Sequence, residues 1–262
     1  MELVHLSDLH VGSPDFRPEL LENVVEHVNE RKPDLVVFTG DATDDGALPN
    51  FVAAKRYFDG VRVDVPVAFV PGNHDARNNG LVFFETTFGP RFSHREFEEH
   101  EAALWCLSSP MSDLRDGYLG GYQVRWLVRT LAKTRANLKI LALHHHLVPV
   151  PDAGRNRDTT WDAGDILAIC QWFDVDLVLM GHRHVPHAYS LGRTTLVYAC
   201  TGATIKLRGE EDPSFNVIRV DGDVLEVHIV SSVTLESELL IRREGDQVTH
   251  LKRRATRVGS ML

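Results

Sequence analysis

The sequence contains few cysteines and no long apolar run. Three of its 262 residues are cysteines, and Cys106, Cys170 and Cys200 are widely spaced, with no Cys-x-x-Cys pair. This spacing gives no indication of a disulfide framework or a thiolate zinc site. The chain also lacks a basic, apolar leader at its start and any segment of membrane-spanning length. We therefore expect a soluble, cytoplasmic protein without a membrane partner.

Positive charge is also scarce. The chain has 28 lysines and arginines against 37 aspartates and glutamates, and its formal net charge is −9. Binding to a nucleic-acid polymer depends on a positive surface that neutralises phosphates, so this balance disfavours such a partner. A small anionic substrate remains compatible with the sequence if bound cations supply the positive charge.

No internal repeat, low-complexity tract or linker divides the chain, which is long enough for one large domain. We predict a main domain over residues 1–232 and, as part of the same domain, a C-terminal β-hairpin extension and tail over residues 233–262. The extension is where we expect a homodimer contact. We interpret the basic residues of the tail as charges on a solvated strand edge. They are Lys252, Arg253, Arg254 and Arg257.

Short apolar runs alternate with amphipathic stretches from residue 2 to residue 180. The amphipathic stretches repeat leucine, valine and isoleucine at helical spacing, which is typical of helices that pack one face on a sheet. The alternation indicates βαβ units around a mostly buried sheet. The predicted strands are Leu3–Leu6, Leu35–Phe38, Val67–Val70, Ile140–Leu143 and Leu177–Met180.

Beyond His184 the strands follow one another at short intervals, which predicts a second, mainly antiparallel sheet. Asp221-Gly222 is a strong hairpin signal between two of them. A further hairpin is predicted around Glu244-Gly245-Asp246. The strands of this region are Thr194–Ala199, Phe215–Val220, Val224–Val230, Leu235–Arg243 and Val248–Arg254.

Polar side chains follow each of the five N-terminal strands directly. In open α/β sheets, ligands bind beyond the carboxyl ends of the strands, where loops from distant segments converge. We therefore expect these groups to share one rim of the fold. They are Asp8-Leu9-His10, Gly40-Asp41-Ala42-Thr43-Asp44, Gly72-Asn73-His74-Asp75, His144-His145-His146 and Gly181-His182-Arg183-His184.

The residue types in these groups indicate a metal site. An isolated pair such as Asp8 and His10 is weak evidence, because a surface pair is its commoner explanation. Five strand ends that all carry such residues would be an unusual way to finish a core, and Gly40, Gly72 and Gly181 permit close backbone approach. Imidazoles, carboxylates and an amide without thiolates suit manganese, iron, zinc or cobalt, and the set is large enough for two ions.

The groups resemble the calcineurin-like metallophosphoesterases, whose pattern is Asp-x-His, Gly-Asp-x-x-Asp, Gly-Asn-His-Asp/Glu, a lone His and Gly-His-x-His. The pattern is present in order over about residues 3–200. The resemblance implies an α/β fold, a four-layered αββα sandwich with two mixed β-sheets flanked by helices. It also implies two divalent ions, manganese or iron before zinc or cobalt, with Asp41 bridging them. One ion would take Asp8, His10 and His184, and the other Asn73, His144 and His182.

The resemblance further implies a catalytic pair outside the ligand set. His74 would act as general acid towards the leaving group, and Asp44 would orient it and favour its charged form. We leave Asp75, Arg77 and Arg183 outside the catalytic set.

The triple histidine leaves an alternative open. The family usually shows His-His-Pro at this place, with the first histidine as the ligand, which selects His144, although the assignment could move to His145. His146 stands where the family has proline. The remaining histidines, among them His5, lack a second ligand-type neighbour, and we expect them to serve packing or to face solvent.

The loop Pro149–Trp161 is expected to overhang the site and to influence substrate choice. Trp161 could stack on a nucleobase or belong to the core. Both alternatives stay open from the sequence.

The branch of the family follows from residues around the motifs. Asp44 is followed by Asp45-Gly46 rather than Arg-Gly, which disfavours a Ser/Thr protein phosphatase. Overall the pattern looks most like the bacterial class III cyclic-nucleotide phosphodiesterases, which predicts hydrolysis of small phosphodiesters by attack of a metal-activated hydroxide at phosphorus. The alternatives are a phosphomonoesterase, a nuclease of the DNA-repair branch, which the stretch from His5 to Gly12 also resembles, and a non-catalytic scaffold.

Overall fold

The computed structural model describes residues 1–62, 64–151, 153, 159–208 and 211–252. The helices are α1 (Pro18–Arg31), α2 (Leu48–Phe58), α3 (Gly80–Phe88), α4 (Gly120–Leu131) and α5 (Ala163–Trp172). The strands are β1 (Glu2–Leu6), β2 (Leu35–Phe38), β3 (Val67–Phe69), β4 (Ser93–Phe97), β5 (Ala102–Cys106), β6 (Leu138–Ala142), β7 (Leu177–Met180), β8 (His187–Leu191), β9 (Thr194–Tyr198), β10 (Ser214–Asp221), β11 (Val224–Ser231), β12 (Ser237–Glu244) and β13 (Gln247–Leu251).

These strands form two mixed sheets that pack face to face. The first sheet has the order β13-β12-β11-β10-β1-β2-β3, and the second has the order β4-β5-β6-β7-β9-β8. Apolar residues of both inner faces make one core cluster. A second cluster joins the first sheet to α1 and α2, and a third joins the second sheet to α4 and α5. The predicted four-layered αββα sandwich is confirmed.

The assignment of strands to sheets was wrong. We expected the N-terminal strands in one sheet and the C-terminal strands in another. Instead β1, β2 and β3 lie in the first sheet and β6 and β7 in the second, while β10 pairs antiparallel with β1. Strand pairing joins segments far apart in sequence, and periodicity reports only which residues are buried. The strands themselves lie within a few residues of the predicted bounds.

Local signals explain the helices that cover the first sheet. Helix α1 has proline at its start, buries Leu20, Leu21, Val24 and Val28 on one face, and ends at Lys32 in the left-handed conformation. These are the spacing and end signals of an amphipathic helix. Among the described residues, no helix has the length and apolar character needed to cross a membrane.

The predicted C-terminal hairpin is present as β12 and β13, which pair antiparallel at the edge of the first sheet. The residues of β13 are exposed, so this edge strand is open to solvent. Arg253, Arg254 and Arg257 of the basic tail lie outside the described residues. The boundary at residue 232 and the homodimer contact stay predictions.

Candidate metal centre

The loops that follow β1, β2, β3, β6 and β7 meet at one end of the sandwich. Several main-chain hydrogen bonds tie the first loop to the second. The Asp8 amide donates to the Gly40 carbonyl at 2.9 Å, and the His10 amide donates to the Asp41 carbonyl at 3.0 Å. The loop after β7 joins from the other sheet, because the His182 amide donates to Asp8 Oδ2 at 2.9 Å. The five predicted groups therefore share one rim, built from two sheets.

The backbone at this rim adopts an uncommon conformation. Five of the seven predicted ligands have positive φ angles, a region that residues other than glycine seldom occupy. Such strain persists only where the surrounding structure holds it, and it is concentrated at functional sites. The five are Asp8 (55°), His10 (51°), Asp41 (57°), His182 (78°) and His184 (53°).

Glycines permit the close approach that brings these loops together. A Cβ atom at Gly72 would lie 2.1 Å from Asp41 Oδ1, and one at Gly181 would lie 2.6 Å from Asp8 Oδ2. Neither position could carry a larger residue without displacing a predicted ligand.

Asp8, His10 and His184 form the first donor set. His184 Nε2 lies 3.2 Å from Asp8 Oδ1, and His10 Nε2 lies 3.8 Å from the same oxygen. The two Nε2 atoms are 3.0 Å apart. All three side chains are buried, so the three donor atoms face one another away from solvent.

Asn73, His144 and His182 form the second donor set. Asn73 Oδ1 lies 3.1 Å from His144 Nε2 and 2.9 Å from His182 Nδ1. The two ring nitrogens are 3.2 Å apart. The strand ends of both sheets contribute, since Asn73 follows β3 whereas the histidines follow β6 and β7.

Asp41 lies between the two donor sets. Its Oδ2 atom is 3.7 Å from His10 Nε2 and 3.4 Å from His144 Nε2. The carboxylate thus contacts one member of each set, as the resemblance implied for a bridging ligand.

The two sets fit divalent cations. Ligand atoms about 2.0–2.2 Å from a cation lie roughly 3.0–3.6 Å from one another in tetrahedral or octahedral geometry. Most donor separations in both sets fall in that range. Asp8 Oδ1 is buried and accepts no hydrogen bond from the described residues, although a buried carboxylate oxygen normally has a partner. A cation between the donors would supply that partner.

The second nitrogen of each of three histidines is anchored outside the donor sets. His144 Nδ1 donates to the Thr39 carbonyl at 2.7 Å, and His184 Nδ1 donates to the Lys206 carbonyl at 2.6 Å. His10 Nδ1 lies 3.3 Å from Asp44 Oδ1. Such contacts fix the tautomer and turn the free Nε2 lone pair towards a metal.

Charge in the centre favours a bound cation. Burial opposes protonation of His10, but the neighbouring carboxylates, foremost Asp44, raise its pKa to about 10. Burial also opposes protonation of His144, and Asp41 raises its pKa to about 9. Despite burial, the histidines hold the pKa of Asp8 and of Asp41 below the usual range. The carboxylates therefore remain charged and attract positive charge into the centre.

The geometry separates His144 from His145. Both ring nitrogens of His145 already have protein partners, because Ser109 Oγ lies 2.9 Å from Nδ1 and Nε2 donates to the Arg115 carbonyl at 3.0 Å. His144 is the histidine whose Nε2 faces the second donor set. His146, in the place of the family's proline, donates from Nε2 to the Gly181 carbonyl at 2.7 Å, so it ties the loop after β6 to the loop after β7.

His74 lies at the outer side of the first donor set, and its ring meets the His10 ring edge-on at 4.6 Å. Its Nδ1 donates to the Asp44 main-chain carbonyl at 2.7 Å, and the Asp44 carboxylate is 3.4 Å away. Burial lowers the pKa of His74 and the charges of His10 and Arg77 lower it further, although Asp41 opposes this. The hydrogen bond to the Asp44 carbonyl also opposes it, so Asp44 itself favours the charged form of His74. The carboxylate of Asp44 lies 3.3 Å from His10 and 3.4 Å from His74, and its contact with His10 is the main cause of its own lowered pKa.

Asp75 holds the loops in place. Its carboxylate accepts the amides of Ala42 and Gly72 at 3.1 and 3.0 Å and the amide of Thr43 at 2.9 Å. Burial, with the charge of Asp41, raises its pKa to about 6. Placing Asp75 outside the catalytic set agrees with these contacts.

Other contributors were not recognised in the sequence. Thr39 and Lys206 act through main-chain carbonyls, which residue type does not reveal. Arg77, which we left outside the catalytic set, contacts His74 directly, and its position two residues after the Gly-Asn-His-Asp run was the available signal. Arg183 is buried and donates to the Ala153 carbonyl.

An aromatic pair lies on the rim beside the centre. Trp161 and Tyr118 are 67% and 44% exposed, and their rings are 6.0 Å apart. The Trp161 amide donates to the Gly117 carbonyl, and Gly117 packs against the His145 ring. The core role for Trp161 is therefore wrong.

Comparison with known proteins agrees with this geometry. The sequence model of the calcineurin-like phosphoesterase family matches residues 1–186. A 3′,5′-cyclic-nucleotide phosphodiesterase of Nostoc sp. is 25% identical over 248 residues, covering 85% of this chain and 89% of that protein. A probable glycerophosphodiester phosphodiesterase of Arcobacter nitrofigilis is 31% identical over 164 residues, covering 57% and 59%. A dimetal phosphatase structure from Danio rerio has a TM-score of 0.71 at 12% identity, covering 94% of this chain and 99% of that one.

The family match covers well over half of the chain and includes every predicted ligand up to His184. The solved structure shares the fold of this chain. The chain is similar to the class III cyclic-nucleotide phosphodiesterases. It belongs to the calcineurin-like phosphoesterase family and is a phosphoric ester hydrolase.

Proposed function

We propose that the protein is a dinuclear metal-dependent phosphodiesterase that hydrolyses small phosphodiesters. The observation that carries the proposal is the position of Asp41 Oδ2, 3.7 Å from His10 Nε2 in one donor set and 3.4 Å from His144 Nε2 in the other. One carboxylate in contact with both sets is the arrangement that two adjacent cations require. Manganese and iron suit these oxygen and imidazole donors, with zinc or cobalt as alternatives.

Two bound cations would lower the pKa of a shared water and withdraw charge from the phosphoryl oxygens. The chain's own residues do the rest. The buried carboxylates of Asp8 and Asp41 supply the negative charge of the site. Thr39, Lys206 and Asp44 orient the rings of three of the histidines. His74 is our candidate for the group that gives a proton to the leaving oxygen as its bond to phosphorus breaks.

The substrate class is inferred from the exposed aromatic side chains, the net charge of the chain and the relatives that it resembles. Trp161 and Tyr118 have exposed rings that offer an aromatic surface for a nucleobase. The formal charge of −9 disfavours a long polyanion. The relatives are named for cyclic nucleotides and for glycerophosphodiesters. Among small diesters we therefore favour cyclic nucleotides.

A hydrolysis panel with manganese tests the proposal. It compares bis(p-nitrophenyl) phosphate, p-nitrophenyl phosphate, 3′,5′- and 2′,3′-cyclic nucleotides, glycerophosphocholine and single-stranded DNA. We expect the small diesters to be cleaved fastest. Exclusive turnover of the monoester would identify a phosphomonoesterase, and preferred cleavage of DNA would identify a nuclease. Absence of turnover with every diester would overturn the proposal.

A further inference from the structure

Arg77 is a half-buried arginine at the edge of the metal centre, and it has no carboxylate partner among the described residues. Its guanidinium has two hydrogen-bond acceptors there. Nη1 donates to the Asp44 carbonyl at 2.8 Å, and Nη2 lies 3.1 Å from His74 Nε2. A permanent positive charge beside a phosphoester site, without a neutralising carboxylate, is suited to receive an anion.

The contact with His74 has a definite direction. His74 Nδ1 faces the Asp44 carbonyl at 2.7 Å, and a carbonyl oxygen only accepts, so Nδ1 carries the hydrogen. Nε2 of the neutral ring is then an acceptor, and it receives an N–H group of Arg77. His74 and the Asp44 main chain therefore hold the guanidinium from two sides.

The same contacts fix where the guanidinium stands. The His74 amide donates to Asp41 Oδ1 at 2.8 Å, and the His74 ring touches the His10 ring. His74 therefore links the Arg77 guanidinium to Asp41, the carboxylate that contacts both donor sets. A phosphoryl group seated on the donor sets would present an oxygen towards this edge.

We propose that Arg77 binds an oxygen of the substrate's phosphoryl group, and that His74 and the Asp44 main chain position it. The planar guanidinium has five N–H groups in a fork that matches phosphate oxygens. Nη1 keeps its bond to Asp44 while Nη2 exchanges His74 Nε2 for the phosphoryl oxygen. That exchange leaves Nε2 of His74 free to take up a proton from solvent, which it must carry before it can give one to the leaving oxygen. Arg183, by contrast, is buried and bonded to Ala153.

This inference rests on the proposed function only in requiring a phosphorylated ligand at the donor sets. The test therefore measures binding as well as turnover. Inorganic phosphate is the probe, titrated calorimetrically into the manganese-loaded protein. The variants are Arg77→Gln, which removes the charge, and Arg77→Lys, which keeps the charge and loses the fork. Arg129→Gln, on the exposed side of α4, is the matched control.

We expect Arg77→Gln to weaken phosphate binding and to raise KM for bis(p-nitrophenyl) phosphate by about tenfold or more, as loss of a charge-assisted bond implies. Arg77→Lys should recover part of the loss, and Arg129→Gln should match the wild type. Manganese content and Tm should be unchanged in all three, which excludes a merely structural effect.

Phosphate affinity and KM of Arg77→Gln within twofold of the wild type would overturn the inference. Loss of manganese or a lower Tm in both Arg77 variants, with unchanged phosphate affinity per loaded site, would assign Arg77 a structural role and would also overturn it. If the wild type bound phosphate through Arg77 yet cleaved no diester, the proposed function would fail while this inference stood.

Discussion

The two ends of the sandwich both collect charged residues, but they neutralise them differently. At the end opposite the centre, Asp176 pairs with Arg193 at 2.8 Å, and Glu2 pairs with two arginines. At the rim, Asp8 and Asp41 are buried and face histidines. An arginine is a permanent cation, so each of these carboxylates has a charged partner without any bound ion. Histidines lose their proton when they bind a metal, so at the rim bound cations take over the neutralisation of the carboxylates.

The comparison shows that a cluster of carboxylates indicates a metal site only when the partners of the carboxylates and the conformation of their backbone are considered as well. The predicted ligands at the rim are buried, and five of the seven have positive φ angles. Asp176 is buried too, but its φ angle is negative and it has an arginine partner. We expect mutations at the two ends to differ accordingly.

The largest effect is expected from matched substitutions at the two ends. Asp41→Asn removes the charge that contacts both donor sets, and we expect turnover to fall by about 10³-fold, because metal-ion assistance contributes several kcal/mol. Asp176→Asn should keep turnover within twofold. Initial rates with bis(p-nitrophenyl) phosphate and manganese content per chain measure both. Equal losses at the two ends would remove the distinction.

Within the rim, His74 should behave differently from the ligands. We expect His74→Asn to retain both metals, because its ring is outside the donor sets, and to lose about 10²-fold or more on esters with poor leaving groups. Esters with good leaving groups should lose less, whereas an effect through Arg77 would lower both equally. A rate ratio between methyl and nitrophenyl esters that matches the wild type would eliminate the role as acid.

Asp44 should have a smaller effect, because it acts through His10. Asp44→Asn keeps the main-chain carbonyl that holds His74 and removes the charge 3.3 Å from His10 Nδ1. We expect manganese affinity to fall about tenfold, as for other groups that orient a metal ligand. Asp45→Asn, exposed and next in sequence, is the control. Unchanged affinity in Asp44→Asn would show that His10 needs no such support.

The last prediction concerns stability rather than turnover, on which we expect no effect, and it involves His5, a buried histidine with no carboxylate partner among the residues that the structure describes. It lies between Thr39 Oγ1 and Asn216 Nδ2, and burial lowers its pKa to about 3 from 6.5, against the charge of Asp8. Between these two pKa values the unfolded chain therefore binds a proton at His5 that the folded chain does not bind. The stability that the neutral ring contributes is present above pH 6.5 and is lost as the pH falls towards 3.

In His5→Gln, the dependence of the free energy of unfolding on pH in this window should be shallower by up to one proton, about 1.4 kcal/mol per pH unit. Urea unfolding of both proteins at several pH values measures it. Parallel curves would mean that His5 does not contribute.

The sequence predicted local features well because they depend on neighbouring residues. The runs Leu35–Phe38 and Leu177–Met180 are strands with the predicted bounds, since short buried runs between polar groups allow few alternatives. The assignment of strands to the two sheets was not predicted. Strand β10 lies beside β1 through pairs such as Glu2 and Arg219, which are far apart in sequence. No local pattern encodes a pairing over that distance.

The same division applies to the centre. Donor types could be read from the sequence, and the resemblance supplied their grouping. The choice between His144 and His145 depended on Ser109, a residue of another loop whose hydroxyl group lies at hydrogen-bond distance from the His145 ring. The supports of Thr39 and Lys206 are main-chain carbonyls and leave no signature in residue type.

The central claim is that two cations share Asp41. Anomalous diffraction at the manganese edge, from crystals grown with manganese, tests it most directly. We predict two peaks, one among Asp8, His10 and His184 and the other among Asn73, His144 and His182, both in contact with Asp41. One peak, or two peaks that do not both touch Asp41, would contradict the account.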